Sequence, residues 1–183
     1  RIVIFMKQIE LLAPVGDFEC LKAAVQNGAD SVYLGSNLFS ARAAATNFDI
    51  DELENAIRYC ALRNVHTHLA LNTLIKDTEF TDAIALAKEA YEFGIDALIV
   101  QDMGLAQYLM KVFPALPIHA STQMTIHNLE GVKQLEELGF SRAVLARELS
   151  LEEIEYICKN TDLEIETFIH GALCISYSGQ CLF

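Results

Sequence analysis

Short runs of β-branched and aliphatic residues recur along this chain. Longer stretches separate them, and in those stretches apolar residues return every three or four positions. The runs lack strict alternation, as strands covered on both faces do. Seven strands are predicted: Ile9–Ala13, Ser31–Leu34, Val65–Leu71, Ala97–Gln101, Pro117–Ser121, Arg142–Ala146 and Leu163–Ile169. Helical periodicity falls between them, near 18–27, 50–63, 78–93, 103–111, 127–138 and 150–159. Three stretches repeat one pattern: NGADSVYLG (27–35), FGIDALIVQD (93–102) and LGFSRAVLAR (138–147). In each, a glycine ends a helical pattern and an aliphatic run follows. Gly28, Gly94 and Gly139 therefore read as left-handed C-caps. Asp49 or Asp51 and Ser150 read as N-caps, the last followed by Glu152 and Glu153.

Regular strand–helix alternation implies a parallel sheet covered by helices. An open doubly wound sheet and a closed barrel both satisfy that pattern. No GxGxxG or P-loop follows any strand, which weakens the nucleotide-binding open sheets. The 183 residues fall short of the roughly 250 of a full barrel. The expected fold is thus a (β/α)8 TIM-like barrel, incomplete, with about seven parallel strands. One domain is expected over 6–183, truncated at its C-terminal end. Met6 resembles a natural start, which leaves 1–5 as upstream residues.

Composition narrows the class. Hydrophobic residues make up 52% of the chain, which excludes disorder. No apolar run approaches the roughly 20 residues of a membrane span. Five cysteines without framework spacing point to a reducing cytoplasm. The net charge of −12 argues against a broad nucleic-acid-binding face, though not against a local basic site. An incomplete barrel would expose strand edges and favour self-association into a homo-oligomer.

Polar residues cluster just after the strands. Asp17 follows the first; Ser40, Arg42 and Asn47 follow the second. Asn72 and Lys76 follow the third, Asp102 the fourth, Thr122 and Gln123 the fifth, Arg147 and Glu148 the sixth, and His170 the seventh. The C-terminal ends of barrel strands form the active face of barrel enzymes. Each residue also has a plain reading: Asp17 as a helix cap, Asn47 as a turn residue, Lys76 as a solvated charge, Arg147 and Glu148 as a surface pair. His66 and His68 form an H-x-H at the opposite strand end and read as core or rim histidines rather than metal ligands. His119 lies within a strand and is left open, and His127 is expected to open a helix. Cys20, Cys60 and Cys158 fall in helical patterns and read as packing residues.

The last eighteen residues, ETFIHGALCISYSGQCLF, carry a His-Gly pair and then Cys174 and Cys181, seven positions apart. Cysteines in such a loop pack or ligate. Zinc and iron–sulfur ligands usually come in fours, so this pair is half of a set. The spacing matches no standard local motif.

The run ETFIHGALC-x4-GQC at 166–181 resembles the signature of the collagenase-like peptidases of unknown catalytic type, peptidase family U-thirty-two. ELLAPVGDFECLKAAVQNGADSVYLG (10–35), FSARAAATNF (39–48), NTLIKD (72–77), STQ (121–123) and ARELS (146–150) are similar to that family in order and spacing. The resemblance covers Met6 to Phe183 and implies a barrel-like domain with further sequence after it. Some members of the family are described as peptidases. Others resemble oxygen-independent hydroxylases that modify ribosomal RNA, transfer RNA or a ubiquinone precursor and take oxygen from prephenate. Those carry a four-iron four-sulfur cluster on four cysteines, and Cys174 and Cys181 match the first two. The resemblance implies an RNA-modifying hydroxylase, with a peptidase as the alternative and this chain alone inactive. On charge and position, Arg42 and Arg147 are expected to hold the donor's carboxylates. His170 and Glu148 complete the candidate catalytic set. Asn47, Asn72, Lys76, Asp102 and Gln123 are candidate substrate-binding residues.

Overall fold

The computed structural model describes residues 9–41, 47–171 and 174–181. Strands and helices alternate throughout: β1 (Leu12–Val15), α1 (Phe18–Gln26), β2 (Ser31–Gly35), α2 (Ile50–Ala61), β3 (His66–Leu71), α3 (Phe80–Phe93) and β4 (Ala97–Val100). Then come α4 (Met103–Val112), β5 (Ile118–Ala120), a 3₁₀ turn (Thr122–Met124), α5 (Leu129–Leu138), β6 (Arg142–Val144), α6 (Leu151–Lys159) and β7 (Glu164–Glu166). Each strand pairs in parallel with the next, in the order β1 to β7.

The sheet curls into a TIM-like half-barrel. Arg142 at the start of β6 reaches Glu10, which precedes β1, at 2.5 Å. His68 of β3 and His119 of β5 meet edge to face across β4, with ring centroids 4.9 Å apart. Both contacts require one sheet face to be concave. Alternation along the strands separates two layers. Val32, Leu34, Leu69, Leu71, Leu98 and Val100 point outward and pack under the helices. Ser31, His68, His119, Arg142 and Glu166 belong to the inward rows, as the strand register shows.

Local signals explain the helix boundaries. Asp49 and Ser150 each close a capping box, with Glu52 and Glu153 as partners. Gly28, Gly94 and Gly139 all have φ near +90°, where a side chain would be strained. Gly94 and Gly139 cap α3 and α5 as the sequence indicates, while in α1 Asn27 is the cap and Gly28 follows it.

Several boundaries differ from expectation. β1 begins at Leu12 rather than Ile9, and β7 spans only Glu164–Glu166. β7 is also less buried than its composition suggests, because among the described residues it pairs on one side only. His127 precedes α5 instead of opening it, since Asn128 supplies the cap. Cys60 is buried as expected, but Cys20 and Cys158 are exposed. Their helices turn them to solvent, so they do not pack. No helix among the described residues is long and apolar enough to cross a membrane.

Candidate functional site

The strand ends place two rim clusters, of different character. The first surrounds the segment after β2. Gly35 closes β2 without a side chain, and a Cβ there would lie 2.6 Å from Asn47 Oδ1 and 2.7 Å from Ser40 Oγ. Ser40 and Asn47 therefore pack tightly against the strand end. Asn72, after β3, accepts a hydrogen bond from the Ala41 N–H at 2.9 Å. Asn47 and Asn72 thus brace the two flanks of the stretch that contains Arg42. Arg42 itself lies outside the described residues.

Other rim residues support their own elements. Asp17 caps α1 by accepting from the Cys20 N–H at 2.7 Å. Asp102 caps α4 through the Leu105 N–H at 2.8 Å and accepts a weaker bond from Ile75 N–H at 3.3 Å. Thr122 and Gln123 lie in the 3₁₀ turn, with the Gln123 carbonyl accepting from Gln101 Nε2 at 3.3 Å. The Lys76 N–H donates to Glu79 at 2.9 Å. His170 is exposed on the loop that leaves β7.

The second cluster brings together three segments distant in sequence: the turn after β5, the end of β6, and the loop 174–181. Ser178 is 2% exposed. Its Oγ accepts from the Arg147 N–H at 3.1 Å and from Arg147 Nε at 3.3 Å. Its N–H and hydroxyl both donate to Glu148 Oε1, at 3.0 and 3.3 Å. Its carbonyl accepts from Thr125 Oγ1 at 2.9 Å. Arg147 Nη2 donates to the Ser176 carbonyl at 3.2 Å. The other carboxylate oxygen of Glu148 faces His127 Nε2 at 3.2 Å. His127 Nδ1 lies 3.0 Å from the Thr125 carbonyl, an acceptor only, so Nδ1 carries a proton.

Electrostatics follow from these contacts. Burial pushes the Glu148 carboxyl upward, but the N–H and O–H of Ser178 outweigh it and hold the group below the ordinary carboxylate range. Cys174 and Cys181 are both exposed. The Cys174 thiol is held below its usual range, first by the Ser176 N–H and then by the Cys181 thiol, with the Ser176 hydroxyl and the Arg147 side chain adding. The two cysteines therefore lie side by side on the barrel's C-terminal face, and the surroundings of Cys174 favour its thiolate. They fit two positions of a thiolate-ligated centre. Among the described residues no group of three or more His, Cys, Asp or Glu forms a complete metal site.

The structure thus brings Arg147, Glu148, Cys174 and Cys181 into one place and sets Asn47 and Asn72 in another. Thr125, His127, Ser178 and Gly179 join the Arg147 group without having been named as candidate site residues from the sequence. Ser-Gly at 178–179 is a turn signal, but nothing local shows that the turn docks on β6. The groove between α1 and α2, lined by Phe18, Arg58 and Tyr59, lies in the helical layer and not on this rim.

The chain is 41% identical over 174 residues to the 23S rRNA 5-hydroxycytidine C2501 synthase of Escherichia coli (strain K12), covering 95% of this chain and 26% of that protein. It is 38% identical over 174 residues to tRNA hydroxylation protein P of the same organism, covering 94% of this chain and 38% of that protein. The chain therefore spans well under half the length of these relatives. Among solved structures, the U32 peptidase Mk0906 superposes with a TM-score of 0.70 at 17% identity, over 89% of this chain and 70% of that one. That likeness supports the barrel fold. The model of Peptidase family U32 matches residues 16–183, from the turn after β1 through the cysteine loop. The match spans most of the half-barrel and the cysteine loop, and this chain belongs to Peptidase family U32.

Proposed function

We propose that this chain is the barrel portion of an RNA-modifying hydroxylase that works without molecular oxygen. The observation that carries this reading is the side-by-side placement of Cys174 and Cys181 on the C-terminal face, with Arg147 against Cys174. They would be two of the four thiolates around a four-iron four-sulfur cluster, which when bound supplies electron transfer. The remaining two would come from outside this chain. The two bacterial relatives named for rRNA and tRNA hydroxylation match across nearly its whole length, which supports ribosomal or transfer RNA as the substrate class. With a net charge of −12, RNA is engaged through local basic contacts or through other parts of the protein, not by a broad barrel surface.

The residues divide the work by position. Arg42 and Lys76 would meet the carboxylates of a prephenate-like oxygen donor. Arg147 contributes less here than its charge suggests, because the cysteine loop uses several of its donors. His170, exposed beside the loop, would orient the base or move a proton near neutral pH. Asn47, Asn72, Asp102 and Gln123 would shape the rim around the substrate. A reducing cytoplasm suits both the thiolates and the RNA.

The test is iron and acid-labile sulfide in the intact protein, purified without oxygen. About four of each per chain are expected, lost in Cys174→Ser and in Cys181→Ser. RNA from cells lacking the protein should also lack a hydroxylated nucleoside. Absence of iron together with unchanged nucleosides would overturn the reading. Peptidase activity is the second reading, and the lowered thiol of Cys174 favours it, since thiolate is the nucleophilic form. Gelatin cleavage that survives in Cys174→Ser would remove that cysteine from any such mechanism.

A further inference from the structure

We propose that Ser178, Glu148, Arg147 and Thr125 form a clamp that fixes the distance between Cys174 and Cys181. Arg147 and Glu148 are then positioning residues for the thiol pair. This deepens the cluster-ligand reading and rests on it for its purpose, though the clamp can be tested without iron.

The loop 174–181 has almost no apolar reason to stay in place. Ile175 is 97% exposed and Tyr177 is 66% exposed. Ser178 is the one buried residue of the eight. Every hydrogen-bonding group it has is used: N–H and hydroxyl on Glu148, Oγ also on Arg147, carbonyl on Thr125. Gly179 then passes so close to the turn after β5 that a Cβ would lie 2.4 Å from the Gln123 carbonyl oxygen, and its φ is +78°. Thr125 is itself held left-handed, at φ +60°, which aims its hydroxyl at the loop. Ser178 stands four residues after one cysteine and three before the other. Pinning it sets both arms of the loop at once. A flexible seven-residue spacing would have to lose its freedom each time the two sulfurs bound one centre. The clamp removes that cost beforehand.

Glu148→Gln and Glu148→Ala separate hydrogen bonding from mere removal. Glutamine keeps an acceptor for the Ser178 N–H and hydroxyl, and its amide can donate to His127 Nε2. The probe is phenylarsine oxide, which bridges closely spaced dithiols, added to the iron-free, reduced intact protein. Cys20 and Cys158, exposed but outside the loop, serve as internal controls by single-thiol alkylation. Capture at Cys174–Cys181 is expected in wild type and in Glu148→Gln. It should weaken at least about tenfold in Ser178→Ala and Glu148→Ala, the fold-change that ~1.4 kcal/mol of lost preorganisation gives. Circular dichroism melting confirms that the variants remain folded. Gly179→Ala offers a second route to the undocked loop if either alanine variant at 148 or 178 misfolds.

Unchanged capture in folded Ser178→Ala and Glu148→Ala overturns the clamp. Equal loss in Glu148→Gln and Glu148→Ala also overturns it, because charge and not hydrogen bonding would then hold the loop. Strong wild-type capture with no iron in the anaerobic protein leaves the clamp standing while the cluster reading fails. Iron that binds equally well in all variants, with unchanged capture, sinks the clamp and leaves the cluster reading intact.

Discussion

Arg142 and Arg147 stand five residues apart, at opposite ends of β6, and they do different things. Arg142 enters the lumen at the N-terminal end and is met by three carboxylates: Glu10 at 2.5 Å, Glu164 at 2.8 Å and Glu166 at 3.3 Å. Its side chain is 12% exposed. It ties β6 to β7 and to the segment before β1, where the half-barrel would otherwise splay. Arg147 emerges at the C-terminal end, and its partners in the loop are neutral oxygens of Ser176 and Ser178. Its positive charge is left to act on the Cys174 sulfur. The chain thus delivers a carboxylate-paired arginine to the end that holds the fold and, at the other end, one whose side-chain partners among the described residues are neutral oxygens. That division matches the general polarity of barrels, with stability at one face and reaction at the other.

The sharpest way to break the comparison is at Arg142. Arg142→Leu would remove the cation that these three carboxylates share, at a cost of about 3–5 kcal/mol, read as a drop in the urea midpoint. The equivalent Arg147→Leu should cost the global fold far less. Equal losses at both ends would erase the distinction drawn here.

The second effect is pH. Burial lowers His68 to about 4, with the charge of Arg142 adding to it. Burial likewise lowers His119 to about 2, assisted by His68 and Arg142. The unfolded chain takes up those protons near 6.5, so below that pH it binds more protons than the native state. Stability is full above about pH 6.5 and falls as pH drops toward 4, with a limiting slope of ~1.4 kcal/mol per pH unit for each histidine. His68→Gln should flatten the profile of melting temperature between pH 6.5 and 4. An unchanged slope would mean that the pair titrates normally.

The smallest global effect belongs to the rim. Gly179→Ala should undock the cysteine loop yet change the unfolding free energy by less than ~1 kcal/mol, because local opening need not involve the barrel. Hydrogen exchange should accelerate over 175–181 and not over β3 or β4. Acceleration across the whole barrel would show that the loop belongs to the core.

How far the sequence leads depends on how local the signal is. The strand order, the helix caps at Asp49 and Ser150 and the three terminating glycines were legible because each depends on residues within about one helical turn. The polar residues after the strands were legible as a rim because parallel strands align all their C-terminal ends. Ser178 was not legible. Its partners Arg147, Glu148 and Thr125 lie 31, 30 and 53 residues away, and nothing in a Ser-Gly turn specifies where it lands. Asn72 read as a substrate residue, while its side-chain oxygen in the fold accepts from Ala41.

By itself, then, the sequence determined the class of fold and the family, and it singled out the polar rim at the C-terminal strand ends and the pair of cysteines beside it. Short-range propensity, period and local motifs suffice for those. The tertiary structure alone decided that His68 meets His119 inside the lumen, that Arg142 braces the half-barrel, and that Arg147 and Glu148 seat the cysteine loop. Those outcomes depend on strand register, the curl of the sheet and the return path of a loop, and chain neighbours do not encode them.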